Sequence, residues 1–319
     1  MGASALGSRA IIGKLFARLQ QLTGTSWLDL ISMLFDSDQE SETYKWLGQI
    51  PQMREWVGGR NAKAFSSNGI TVVNKKFEAT LQVLVDEIRR DKTQQVQIRI
   101  DELAVRALSH WNKLLSTLIT NGTGATSGLC YDGQYFFDTD HSEGDSGTQL
   151  NLLAAAQVAA LNVATATAPT SAEAAKAILG VIGYMMGYLD NEGEPLNENA
   201  RNFLVMTSPA LWQHLAGGVY SEKVGSGEDN PVQKIISKEG FNVGIVSNAR
   251  LAYTTQFVVF RTDAPAKALI RQNEADIEIQ AQAEGSYEEF TNDRHLYGIK
   301  ANRNVGYAYW QYAAHATLS

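Results

Sequence analysis

One stripe of apolar residues constrains this chain more than any other feature. Ile100, Leu103, Ala104, Ala107, Leu108, Trp111, Leu114, Leu115 and Leu118 recur at three- and four-residue intervals. That spacing puts side chains on one face of an α-helix. It predicts a helix over about Thr93 to Thr120, roughly 40 Å long at the usual rise per residue. Asn121-Gly122 follows as the expected left-handed stop. Such a helix can act as a spine for several other elements.

The pieces before the spine are of two kinds. Ile11, Ile12, Leu15, Phe16 and Leu19 fall at helical spacing between Ala10 and Gln21. An apolar cluster from Trp27 to Phe35 and an acidic patch from Asp36 to Glu42 come next. These segments are too short to bury a core alone, so they read as an arm that docks elsewhere. From Gly69 the period changes. Phe77, Ala79, Leu81, Val83 and Val85 mostly alternate with polar residues, which predicts a strand with one buried face. Ile70 to Val73 reads as its partner, turned by Asn74-Lys75-Lys76, so a long hairpin is expected. Asp86 to Asp91 breaks the alternation.

Beyond the spine, Gly122 to Gly128 reads as a loop, and Leu129 to His141 is aromatic and acidic. An Ala-rich helix is expected from Asn151 to about Ala164. A second opens at Pro169 to Glu173, where Thr170 and Glu173 have capping-box spacing. Ala174, Ile178, Leu179, Ile182, Met185, Met186 and Leu189 form its stripe, and Asn191 to Gly193 ends it. Phe203 to Met206 predicts a buried strand, and Pro209 starts a helix through Leu215. Gly217 to Asn230 reads as a loop. Asn242 to Val246, Phe257 to Arg261 and the tail from Asp276 predict further strands. The class is α+β.

Totals narrow the function. The 319 residues carry a formal net charge of -7, which argues against a dedicated nucleic-acid binder with a basic face. Cys130 is the one cysteine, so no intrachain disulfide forms, and it reads as a small buried hydrophobe. No membrane span or targeting segment is expected. The five histidines are scattered, with no paired metal spacing, and no phosphate-cradling loop or nucleophile elbow occurs. Asp138, Asp140, Ser142 and Asp145 resemble half a calcium loop. Gln149 stands where the bidentate Glu belongs, so a solvated acidic loop is the better reading. Cys130 with His141 could form a thiol–imidazole pair, but no third partner is visible. Lys75 and Lys76 could be cross-linked to Asn302 or Asn304 of a neighbour; solubilising lysines at a turn is the favoured reading. No catalytic, cofactor-binding or metal residue is expected, and the chain is not expected to be an enzyme.

Longer motifs carry a resemblance. Tyr44 to Arg60 reads YKWLGQIPQMREWVGGR, and Asn68 to Asp91 reads NGITVVNKKFEATLQVLVDEIRRD. Cys130 to Gln134, Phe136 to Asp138, Asp140-His141, Gly306-Tyr307 and Trp310-Gln311 follow in order. This set resembles the signature of the Mu-like phage major head subunit (gpT) family. Ile70, where the family prefers Tyr, departs from it, as does the acidic stretch Val85 to Ile88. Matches are sparse through residues 150 to 275.

The resemblance implies the Hong Kong 97-type (Johnson) capsid fold. Its parts would be an N-terminal arm (1–62), an extended hairpin loop (63–91), a peripheral domain with the spine helix (92–150 and 263–319) and an axial domain (151–262). The implied function is a major capsid protein that self-assembles as pentamers and hexamers into an icosahedral phage or prophage head around double-stranded DNA. Implied partners are sister copies, a separate scaffolding protein, a portal protein, a decoration protein and packaged DNA without sequence specificity, with no membrane. The implied location is the virion, assembled in the host bacterial cytoplasm. Candidate inter-subunit contacts are Trp46, Trp56, Arg60, Lys75, Lys76 and Phe77, with the two tryptophans as anchors. A nanocompartment shell of the same fold is the alternative; neighbouring terminase, portal and scaffold genes would separate the two.

Overall fold

Two large sheets and two two-stranded ones form among the described residues; the large ones differ because one has a single buried face and the other is buried on both. The computed structural model describes residues 11–15, 17, 27–45, 69–90, 95–225 and 227–319. In chain order the strands are β1 (Ser32–Asp36), β2 (Ser41–Tyr44), β3 (Ile70–Val73), β4 (Lys75–Leu84), β5 (Leu152–Leu153), β6 (Asn202–Thr207), β7 (Lys223–Val224), β8 (Glu228–Asp229), β9 (Asn242–Ser247), β10 (Gln256–Arg261), β11 (Leu269–Gln282), β12 (Arg294–Tyr307) and β13 (Ala313–Thr317). The helices, after a helical stretch at 11–15 and 17, are α1 (Trp27–Ile31), α2 (Val85–Arg90), α3 (Gln95–Leu108), α4 (His110–Thr120), α5 (Ser171–Met186), α6 (Pro209–Tyr220), α7 (Pro231–Glu239) and α8 (Tyr287–Asn292).

The first sheet runs β1-β11-β12-β4. Along most of β12 buried and half-buried residues alternate, as one covered face requires. Val83, Tyr297 and Ile299 from this face meet Val96, Ile100 and Ala104 of α3, with Ile11 and Leu15 of the arm closing the cluster. The second sheet runs β5-β13-β10-β6-β9. Its central strands β6 and β10 are almost wholly buried, because α5 and its neighbours cover it. The last strand, β13, lies in this second sheet although β12 just before it lies in the first.

Several expectations are corrected. The hairpin read at Ile70 to Val85 does not form. β3 pairs antiparallel with β2, Ser41 opposite Val73, while β4 pairs antiparallel with β12, Leu84 opposite Arg294. Lys75 and Lys76 therefore sit inside a strand, not at a turn. The spine is two segments. Ser109 interrupts it at φ -70°, ψ -2°, where its hydroxyl donates to Arg106 O at 3.1 Å and competes with the helix for backbone acceptors. The spine ends by tightening into a 3₁₀ turn at Asn121–Thr123, without a left-handed residue. Gly122 is needed for space: a Cβ there would lie 2.6 Å from the Phe137 ring.

Asn151 to Ala164 is not a helix but strand β5, a turn and a 3₁₀ turn at Ala159–Leu161. Gly217 to Asn230 is not a loop throughout. Helix α6 continues to Tyr220, β7 and β8 pair, and Asn230 caps α7 through its side chain. Helices α7 and α8 were not foreseen. The Thr170–Glu173 capping box does form, and α5 ends at Gly187, earlier than read.

Helices α5 and α6 approach closely at Gly218, where a Cβ would lie 2.7 Å from Ala174 Cβ and 2.8 Å from Ala175 N. The second neighbour is backbone and cannot swing away. Gly218→Val should therefore destabilise the fold by about 1–3 kcal/mol through overpacking, read as a lower urea midpoint at unchanged slope.

Candidate assembly surfaces

The residues singled out from sequence divide sharply. Trp46, Trp56 and Arg60 lie outside the described residues. Lys75, Lys76 and Phe77 are brought together at the start of β4, the edge of the first sheet. Lys75 stands opposite Arg303, and Lys76 opposite Asn302 of the same chain. Asn304 donates to Val73 O at 2.6 Å, and Asn302 donates to Glu274 at 3.4 Å. Both asparagines thus donate to partners within their own chain, Asn304 to β3 and Asn302 to β11. Phe77 meets His110 edge-on, ring centroids 4.4 Å apart, which ties the edge strand to the spine.

Behind this edge lies an apolar groove between spine and sheet, about 220 Å³ in volume, with Leu103, Ala107, Ile277 and Ile299 among its walls. Arg106, Lys113, Lys300 and Arg303 are its lining cations. His110, at the groove, has its pKa lowered to about 4, first by burial and then by Arg303, Lys113 and Arg250. The ring is therefore neutral at physiological pH.

The second surface was missed from sequence. β11 and β12 are 14 residues each and pair antiparallel, with β4 alongside β12 as far as Leu84 opposite Arg294. Helix α8 sits in the connection between β11 and β12 and leaves Tyr287 75% and Phe290 93% exposed. Its fold is held locally: Ser286 Oγ accepts from Glu289 N, Glu289 accepts from Gly285 N at 2.6 Å, and Arg294 Nε donates to Glu288 at 2.8 Å. Asp293 closes the helix in the left-handed region at φ 47°. The readable signal was the run Gly285-Ser286-Tyr287-Glu288-Glu289-Phe290, a start signal with two aromatics between alternating stretches.

The aromatic and acidic stretch Leu129 to His141 is a junction, not a surface. His141 is fully buried, stacked on Trp310 with centroids 4.1 Å apart. Its Nδ1 lies 2.6 Å from Asp132 and its Nε2 3.2 Å from Asn151 Oδ1. Cys130 Sγ donates to Ala308 O instead of to His141, and burial pushes the thiol well above its ordinary pKa. The thiol–imidazole pair does not exist, and a thiol so held is not a nucleophile at neutral pH. Gln149, at the end of the half calcium loop, exchanges hydrogen bonds with the Leu189 backbone. Among the described residues no group of three or more His, Cys, Asp or Glu could hold a metal ion. No described helix is long and apolar enough to cross a membrane.

A family model described as the Mu-like prophage major head subunit gpT matches residues 12–166 and 220–318. The Mu-like prophage FluMu major head subunit of Haemophilus influenzae is 38% identical over 114 residues, which are 36% of this chain and 36% of that protein. The major capsid protein of Escherichia phage Mu is 33% identical over 111 residues, 35% of each chain. The aligned regions thus span about a third of these curated relatives. Among solved structures, the procapsid of bacteriophage JBD30 superposes with a TM-score of 0.54 at 21% identity, covering 100% of this chain and 77% of that one. The architecture is that of phage capsid subunits, the Hong Kong 97-type fold.

Proposed function

This chain belongs to the Mu-like prophage major head subunit family, and from that premise we propose that it is the shell-building subunit of a tailed-phage head. The observation that carries the reading is the family match over both halves of the chain. Tyr287 and Phe290 on α8 support it, because such exposed aromatics suit burial by another chain. The activity is association. Contacts between unlike faces of sister copies close into rings when the rotation permits, and many weak joints add through valency.

In this reading the first sheet and its spine are the peripheral domain. The second sheet with α5, α6 and α7 is the axial domain, and β13 adds a strand to it. A scaffolding protein, a portal at one vertex, a decoration protein and packaged double-stranded DNA are the proposed partners, and the virion is the proposed location. The reading as a nanocompartment shell gains nothing beyond the shared fold, whereas both curated relatives are named for phage heads.

Negative-stain electron microscopy of the chain co-expressed with its scaffolding protein tests the proposal. Closed shells are expected. A monodisperse monomer at high concentration would overturn it.

A further inference from the structure

Resting on that reading, we propose that the aromatic tip of one copy, Phe290 foremost, docks into the spine–sheet groove of a neighbouring copy at Phe77, Leu103, Ala107 and Arg303. Three independent observations meet here.

The first is distance. Arg294 at the tip end and Ile299, the groove residue nearest to it on β12, are five residues apart, roughly 17 Å at the usual strand rise. Phe290 is 93% exposed, so the chain does not fill its own groove with its own tip, and a second copy can supply it.

The second is charge. Residues 283–293 contain Glu284, Glu288, Glu289 and Asp293 and no lysine or arginine. The groove is lined by Arg106, Lys113 and Arg303, with Lys300 already held by Glu278 at 2.8 Å, against Glu78 among its lining acids. Arg303 is the telling one. It is 3% exposed, lies 4.9 Å over the Trp111 ring, and its Nε has no hydrogen-bond partner. Among the described residues no carboxylate is paired with it, although Asp276 acts on it through space. A buried guanidinium is ordinarily paired, and an acidic neighbour arriving from another copy would complete it.

The third is size. The groove measures about 220 Å³, and a dry cavity of about 150 Å³ already holds benzene. A phenyl ring therefore fits with room for its approach. Glu288 and Glu289 are occupied in bracing α8, which leaves Phe290 presented outward on a fixed turn. The contact joins unlike faces, so it can propagate from copy to copy.

The test uses the full chain co-expressed with its scaffolding protein. Phe290→Ala should cut the count of closed shells at least tenfold while circular dichroism and solubility stay unchanged, since the side chain is almost fully exposed. Leu103→Cys with Phe290→Cys, treated with a short bis-maleimide, should give a ladder of covalent oligomers that neither single variant gives. Cys130 stays silent because it is buried and held protonated. Wild-type shells together with no ladder overturn the docking and leave the shell reading standing. If Leu103→Trp abolishes shells but Phe290→Ala does not, the groove belongs to another segment and the docking is again overturned. A wild-type chain that never assembles overturns the shell reading, and the docking with it.

Discussion

Asn151→Ala should cost about 4 kcal/mol or more of stability, at the exceptional end for a single substitution. Asn151 is fully buried and sits where the aromatic block, β5 and the turn before β13 meet. Its Nδ2 donates to Phe136 O at 2.8 Å, and to Ala313 O at 3.2 Å and Trp310 O at 3.3 Å. Its Oδ1 accepts from Asp138 N at 2.9 Å and faces His141 Nε2. Alanine would strand carbonyls, an amide and a ring nitrogen together, each buried and each costing about 1–3 kcal/mol when left unmade. Urea denaturation of variant and wild type measures the loss. A change below about 1 kcal/mol would mean that water replaces the amide, and Asn151 would not be what holds the aromatic block against the turn before β13.

Acidification should destabilise the chain between pH 6.5 and pH 4, with His315 as a main cause. This ring is buried against Phe137 and Tyr253, and burial lowers its pKa from 6.5 to about 4. Its Nδ1 has no hydrogen-bond partner, and the backbone bond that favours the charged form is outweighed by burial. Between those two pKa values the unfolded chain binds the extra proton, so stability rises with pH. The contribution is complete above pH 6.5 and is lost as pH falls towards 4, on the order of 3 kcal/mol for such a shift.

Glu143 opposes it. Burial, then Asp132 and Asp190, push its carboxyl up to about 7, so the fold favours the protonated acid and gains stability as pH falls from 7 towards 4.5. Its partial exposure screens that effect and makes it the smaller. The measurement is the pH dependence of the urea midpoint in the Glu143→Gln background, with and without His315→Leu. Removal of the imidazole should flatten the acid limb. An unchanged slope would place the proton elsewhere.

What could be read in advance followed periodicity. The spine stripe, the Thr170–Glu173 box, β6 with Pro209 behind it, and the tail strands all appear where their spacing put them, because a 3.6- or 2-residue period depends only on which face is buried. The misreadings share one origin. Asn151 to Ala164 has helical composition, but Asn151's amide is claimed by carbonyls from 136, 310 and 313 and the backbone beside it by β13, so tertiary bonds override propensity. Of the proposed contact residues, Lys75 and Lys76 read as a turn and Phe77 as the start of the alternation, whereas the structure puts all three at the start of β4. Arg303 carries no local signal, since nothing nearby in the sequence distinguishes a buried cation from a paired one.

The amino-acid order alone determined the helical and alternating segments, the α+β class and the family signature, because each rests on neighbours within a few positions. Only the tertiary structure decided that β4 pairs with β12 more than two hundred positions away and that β3 turns to β2 instead, and that Arg303 has no carboxylate paired with it among the described residues. Alternation says which side of a strand is buried and leaves its partner open; the partner is chosen by packing against a spine that must already be in place.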